Sequence, residues 1–437
     1  MTIDTLPASL QPLIQDKFLD HGFKIGLQSK LGFRAIADRE PIAIGIGETL
    51  TKTRAGLLVP STAPLDPATN HALDNGLAPQ NWTLEQYSLR LDTYGGTMDL
   101  NRETCLVAID SLFLENTKKL GLQALQSLDR LARNALYGTY LGGNSFVTAA
   151  LGAAGPALRV DSVAGFETVA ANGCMVPVST ATPMTVTVGA GVYTLIGITR
   201  DASNSSSLAA FGGASGTLTF STNLAVADGS LGNPVVSAVG PVILRPNNRA
   251  ATPLLIQGDC LTAQLVLTAV AQLRDSNVPD IDGSYNCYLD NTTLLDLFQD
   301  PDFKLLYEGA YSSEAYVKDQ LPCLLGVRFI TTTEAPRQTL AGRTIRRAII
   351  CGQGTLIEGD YAGLGISDIN SDHSLRHWVD GVCLVVRPPL DRFQEIIAQS
   401  WKWRGGFCVP TDLTADPSII PTASNSYWKR AAVIECV

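Results

Sequence analysis

The sequence predicts an α+β chain with an all-β segment inserted into it. One long helix and two breaks in composition predict this. Between residues 145 and 257 the only charged side chains are Arg159, Asp161, Glu167, Arg200, Asp201, Asp228, Arg245 and Arg249, and there is no Lys. Val, Thr, Ser, Gly and Ala dominate that stretch, and mixed helix and strand patterns flank it on both sides. Immediately before it, residues 111–141 carry the strongest helical pattern in the chain. At 437 residues the chain is long for one core, so two or three domains are expected.

Residues 1–47 mix short apolar runs with Gly and Pro and read as an extended N-terminal arm, with one short helix at Leu10–His21. Residues 48–100 read as an extended β-hairpin loop with limbs Glu48–Val59 and Trp82–Leu100. The return limb alternates through Leu84, Gln86, Tyr87, Leu89, Arg90, Leu91, Asp92 and Tyr94. Ser61–Gln80, between the limbs, is rich in Pro, Asn, Asp and Gly and reads as loop. A long loop outside a core is usually functional or a partner contact.

Residues 101–144 contain the long helix, 111–141. Asp110 and Ser111 suit its N-cap, and Glu115 lies near the positive end of the helix dipole. Leu114, Leu122, Leu125, Leu128, Ala132, Ala135 and Leu136 recur at three- and four-residue spacing, and Gly138, Gly142 and Gly143 mark the stop. Such a helix is a rod of roughly 45 Å. In 145–257, runs such as Met184–Val188, Val192–Ile198, Thr217–Phe220 and Pro241–Leu244 alternate with Gly, Asn and Ser turns, which reads as a sandwich or a small barrel. Residues 258–437 return to mixed structure. A helix at Leu261–Arg274 is expected with Asp259 as its cap, then a turn at Asn277–Asp282, a strand at Tyr285–Leu289 and a helix at Asn291–Gln299. Strands are expected at Leu324–Thr331, Arg346–Cys351, Val382–Val386 and Ala431–Cys436.

Composition narrows the function. Hydrophobic residues make up 45% and charged residues 17%, so the chain folds rather than remaining disordered. A net charge of −9 argues against gripping nucleic acid through its phosphates. It does not argue against a container for DNA, because an acidic or neutral inner wall would let enclosed DNA slide without sticking. The nine Cys are scattered with no CxxC pair, as expected for reduced thiols of a cytosolic protein. Met1–Lys30 lacks a basic start followed by an apolar run, so no signal peptide is expected, and no stretch is apolar enough to span a bilayer.

Catalytic signatures are missing. There is no GxxxxGK[ST], no GxSxG and no HExxH, and Gly352–Gly354 gives only a GxG. No catalytic residue, cofactor or metal is expected. His373 and His377 are four apart and would share a face on a helix, but a packed or surface pair explains them better than a metal. Trp401, Trp403 and Phe407 alternate as on a strand, and the acidic chain favours core or subunit contact over base stacking.

Three segments and a closing strand carry a resemblance. The first runs from Leu84-Glu-Gln-Tyr87 through Asp99-Leu-Asn-Arg-Glu103, a loop returning into a helix. The second is Leu125-Gln-Ser-Leu-Asp-Arg130 with Arg133 and Tyr137. The third is Leu273–Pro279, then Gly283-Ser-Tyr285 and Asn291–Asp300; Trp428–Glu435 closes the chain. In this order they resemble the major capsid proteins of tailed bacteriophages with the Hong Kong 97 fold, the end resembling short-tailed members. The resemblance covers 1–144 and 258–437; the segment 145–257 departs from the simplest pattern.

The resemblance implies an N-terminal arm (1–47), an extended β loop (48–100), a spine helix of a peripheral domain (101–144) and an inserted all-β domain (145–257). An axial domain and the remainder of the peripheral domain (258–437) complete it. It implies a non-enzymatic subunit that self-assembles, as hexamers and pentamers, into an icosahedral shell around double-stranded DNA bound without sequence specificity. Expected partners are a scaffolding protein, a portal and a decoration protein, with no membrane; expected places are the host cytoplasm during assembly and then the virion. Lys52, Arg54, Trp82, Tyr87, Trp401 and Trp403 are the candidates for subunit contacts. Residues 53–117 contain no Lys, so the Lys–Asn cross-link that some relatives form is not expected.

Rival readings are a nanocompartment shell resembling encapsulins, a β-rich surface adhesin or carbohydrate-binding protein, and a hydrolase. The large β segment speaks against the first. The missing signal peptide and the nine Cys speak against the second, and the missing motifs against the third.

Overall fold

The computed structural model describes residues 32–42, 49–62, 84–101, 111–310, 325–361, 375–387 and 395–437, with isolated residues between these stretches. Leu10–His21, most of Ser61–Gln80, Asp110, Leu324 and His373 lie outside the described residues. The first elements are β1 (Ala37–Ile42), β2 (Thr49–Ala55), β3 (Leu84–Arg90), β4 (Asp92–Asn101) and α1 (Ser111–Tyr140). Then come β5 (Asn144–Phe146), β6 (Gly155–Val160), β7 (Thr168–Ala171), β8 (Cys174–Pro177), β9 (Met184–Val188), β10 (Gly191–Arg200), β11 (Gly216–Leu224), β12 (Pro234–Ser237) and β13 (Ile243–Leu244). The chain continues through α2 (Ala263–Asp275), β14 (Tyr285–Leu289), α3 (Asn291–Gln299), α4 (Pro301–Ala310), β15 (Val327–Thr331), β16 (Arg337–Leu340) and β17 (Arg343–Cys351). It closes with β18 (Leu356–Tyr361), β19 (Leu375–Val379), β20 (Val382–Arg387), β21 (Ile396–Cys408) and β22 (Ala431–Cys436).

The described residues fold into two compact units. One draws on Met1–Leu50, Ser88–Arg133 and Leu356–Cys408, the other on Thr51–Tyr87, Asn134–Thr355 and Val409–Val437.

In the first unit a six-stranded sheet runs β1-β18-β21-β20-β19, with β4 added on β21. β21 organises it, pairing with β4 from Ile396 to Gly405 and with β20 and β18 in succession. Alternation along β21 turns Trp401 and Trp403 inward, where they join Phe113, Leu120, Leu125 and Leu128 of α1 in one core. Phe113, Leu120, Ala124 and Leu128 recur at intervals of seven and four along one helix face, with Leu125 beside Ala124. Leu122, expected in that stripe, is 41% exposed. It lies two residues from both Leu120 and Ala124, about 200° around the helix, and so faces the other way. The arm enters this unit at a fixed point. Asp129 on α1 accepts hydrogen bonds from the amides of Phe33 (2.7 Å) and Arg34 (3.0 Å). The buried Arg34 guanidinium grips both carboxyl oxygens of Glu358, at 3.0 and 3.1 Å from Nε.

The second unit holds a sheet ordered β13-β22-β17-β14-β15, with β16 on β17. Its core gathers Val266, Ala269, Val270 and Leu273 of α2 with Leu297, Phe303, Ile350 and Ile434. Every residue of β22 is buried, as its apolar run suggests, and this includes Glu435. Glu435 is matched by Arg245 (2.7 Å) and Arg347 (2.9 Å) and accepts from the Thr252 hydroxyl (2.9 Å). The cap of α2 differs from expectation. Thr262 accepts from the Leu265 amide, while Asp259 folds its own loop, taking the Ile256 amide (2.9 Å) and Asn247 (2.8 Å) and pairing with Arg249. Thr262 has the N-cap spacing to Leu265 that Asp259 lacks.

The same unit contains a second six-stranded sheet, β5-β12-β9-β10-β11-β6. Its end strands meet through a bridge between Val147 and Val160 and two flanking bonds, Asp161 amide to Phe146 carbonyl and Thr148 amide to Arg159 carbonyl, both 3.1 Å. These contacts join the two end strands, so that the six strands close as a small barrel. Met184, Val186 and Val188 point inward on β9, with Leu158, Leu195, Leu218, Phe220 and Val235 from its neighbours. The run Pro241–Leu244 behaves differently: only Ile243–Leu244 is strand, and it joins β22 in the other sheet. At the end of α1, Gly143 (φ +74°) and Gly165 (φ +80°) pack so closely that a Cβ on Gly165 would lie 2.1 Å from the Gly143 nitrogen. The predicted helix stop thus coincides with a backbone crossing that only glycine permits.

Candidate subunit-contact site

Sequence and structure converge on the β2–β3 hairpin. Among the described residues β2 pairs with β3 alone, whereas β4, expected to continue the return limb, is bound along β21. Past β2 the chain exposes Leu57 (52%), Leu58 and Val59, and the returning side exposes Trp82 (53%) and Leu84. An exposed apolar run beside a two-stranded hairpin marks a surface suited to burial.

Lys52 and Tyr87 are partly buried on the hairpin strands, and Trp82 is exposed. Arg54 is tied down within the second unit, donating to the Thr411 carbonyl at 3.1 Å beside the Asp412 carboxylate at 3.8 Å. Trp401 and Trp403 are corrected as contact residues. Both are buried inside the first unit, where the Trp401 indole N–H donates to Gln123 at 3.0 Å and Trp403 stacks on Tyr94 and Phe407. Rings buried within their own subunit have no surface left for a neighbour. Lys52, Arg54, Trp82 and Tyr87 thus lie on or beside the hairpin, and Trp401 and Trp403 lie in a core.

Glu85 is the residue that the sequence reading passed over. It is buried on β3, and its Oε1 accepts from the Leu413 amide at 3.0 Å. Burial pushes its carboxyl above the ordinary range, and the Asp412 charge adds to this against the Leu413 bond, Arg54 and Lys429. Parity was the available signal: Glu85 shares a strand face with Leu89 and Leu91, both buried.

Chemistry elsewhere is sparse. His377 lies in strand β19, so a shared helical face with His373 does not arise there. Among the described residues no group of three or more His, Cys, Asp or Glu could hold a metal, and no helix is long and apolar enough to cross a membrane. Burial pushes the thiols of Cys287, Cys351 and Cys436 up, the last to about 12, which keeps them protonated and unreactive at neutral pH.

No family model and no curated protein matches this chain. Among solved structures it is similar to the capsid of Ralstonia phage GP4, at 11% identity and a TM-score of 0.53, over 94% of this chain and 92% of that one. The capsid structure of the cyanophage P-SCSP1u is similar over 93% and 88% of the two chains, at 10% identity and a TM-score of 0.48. The first match spans both units nearly from end to end, and the fold of this chain is that of a phage capsid subunit.

Proposed function

We propose that the chain is a major capsid protein, a non-enzymatic subunit that assembles into an icosahedral shell around phage DNA. The observation that carries this is the fold shared with the GP4 capsid chain across nearly the whole length of both. The exposed Leu57, Leu58, Val59, Trp82 and Leu84 support it, because a hairpin with apolar side chains and no core of its own gains stability by lying on a second copy. Many such contacts, each weak, sum strongly in a closed shell.

On this reading the arrangement is that of the Hong Kong 97 fold: arm, extended loop, α1 as spine, and the first and second units as peripheral and axial domains. The barrel is the inserted domain. It has its own core, and its segment's charges balance, leaving the net −9 to the rest of the chain. Its place is the outer face, because an inward knob would crowd the DNA. Hexamers and pentamers of the chain, a scaffolding protein, a portal and a decoration protein are its partners, and assembly takes place in the bacterial cytoplasm. Electron microscopy of the expressed protein, with and without its scaffold, tests the reading. Hollow particles of many subunits are expected, with barrel density outside. A strictly monomeric protein in sedimentation under every assembly condition overturns it.

A further inference from the structure

The base of the β2–β3 hairpin is held twice within the second unit. One hold is the strap at 411–413: Leu413 donates to Glu85, and Thr411 accepts from Arg54. The other is the tip of β7–β8. There the Gln86 amide donates to the Gly173 carbonyl at 2.9 Å, and the Cys174 thiol donates to the Gln86 side chain at 3.0 Å. Gly173 has φ +78°, and a Cβ there would lie 2.0 Å from the Leu84 carbonyl oxygen, so only glycine permits this approach. Tyr427 links the holds. Its carbonyl accepts from the Asp412 amide (2.7 Å), and its hydroxyl accepts from the Ala170 amide (3.2 Å).

This bracket has a weak point. Glu85 is 3% exposed, yet its Oε2 has no hydrogen-bond partner among the described residues. A buried oxygen left without a donor destabilises whatever holds it there. The charged groups facing it are Arg54 from β2, and Asp412 and Lys429 from the carboxy-terminal strap. Arg54 is committed to Thr411 and Asp412, and the Lys429 ammonium donates to the Thr414 carbonyl. Beside Glu85 lies a cavity of about 180 Å³ lined by Arg54, Asn277, Asp412 and Arg430, which gives a displaced side chain room to move.

We propose that the two holds form a bracket that sets the hairpin's direction, and that Glu85 is its built-in release, a half-satisfied carboxylate that keeps the bracket easy to open. The use of such a release, letting the hairpin swing as copies assemble, rests on the capsid reading; the bracket itself does not. Because burial holds the Glu85 proton more tightly in the folded chain, the bracket is firmest when Glu85 is neutral and loosens as pH rises and the group ionises.

Hydrogen exchange of the soluble full-length chain, read at residues 51–55 and 84–87, tests this. Glu85→Gln, which removes the charge and keeps the acceptor, is expected to slow exchange there several-fold at neutral pH, the difference from wild type closing as pH is lowered. Exchange that is unchanged or faster in Glu85→Gln overturns the release. Gly173→Ala is expected to speed exchange at the same residues, while Gly283→Ala, which also has positive φ but nothing within 4 Å of its added Cβ, leaves it at the wild-type rate. Equal rates in a folded Gly173→Ala protein overturn the bracket; if that variant does not fold, Glu85→Gln decides alone. Both variants behaving as stated in a protein that never forms particles would uphold the bracket and sink only the capsid reading.

Discussion

Glu435 is a carboxylate buried among side chains that sequence order keeps far away. Burial alone raises its pKa, but Arg245 and Arg347 outweigh that and hold it at about 2, against 4.5 for the free group. The folded pKa is the lower one, so the stabilisation is complete above about pH 4.5 and disappears as pH falls toward about 2. Thermal melts across that window should show the second unit losing stability, with a shallower slope in Glu435→Gln. At neutral pH that substitution leaves two buried guanidinium groups short of a counter-charge and should cost about 3–5 kcal/mol, measured by denaturant unfolding. The network continues through Arg347 and Gln338 to Ser207, which Gln338 reaches at 2.5 Å and Asp161 accepts from at 2.7 Å. None of this was legible in the sequence, because Glu435 and Arg245 are joined across 190 positions and no local pattern links them. Glu85 was closer to legible, since strand parity puts it on the same face as Leu89 and Leu91.

Among the elements, α1 was read best, because local periodicity alone decides a long helix; the structure runs from Ser111 to Tyr140 against an expected 111–141. Its faces yield a paired test. Leu125 is 4% exposed in the core with Trp401, and a carboxylate there has no partner, a cost of several kcal/mol comparable to a domain's whole stability. Leu125→Asp should give insoluble protein, whereas Leu122→Asp, on the exposed face, should express and melt within about 0.5 kcal/mol of wild type. Soluble Leu125→Asp protein with a wild-type melt would mean that the face is misassigned. The strand at Pro241–Leu244 was read less well. Its apolar run announced a strand but carried no information about which sheet would take it, and β22 did so through a parallel pairing that only the fold specifies. Trp401 and Trp403 show the same limit: alternation announced a strand, and only the packing of α1 determined that both rings are internal.

At the scale of the whole molecule, cross-linking and modularity can be checked. An isopeptide needs an amine within reach of a neighbour's Asn, and residues 53–117 offer no Lys. Boiled, denatured particles should therefore run as single chains; a ladder of covalent multimers in the gel would refute this. The barrel has a core of its own, from Val147 to Val235, so the excised segment 145–257 should melt cooperatively with strand-like circular dichroism. A segment that is unstructured in isolation would mean that it depends on its ties to the rest of the unit through Ser207 and Val239.

The bridge between Val147 and Val160 has one further consequence. A sheet that stays open ends in a row of unpaired amides and carbonyls, which any similar strand can adopt. In a shell of the kind proposed, identical copies would stand side by side at a local concentration far above anything in dilute solution, the condition under which strand adoption turns into a runaway. Joining the first strand of the barrel to the last shortens the unfinished ladder that a neighbouring barrel could extend. In such a shell the closure would act as a safeguard on crowding, lowering the chance that one barrel's strands pair with a neighbour's.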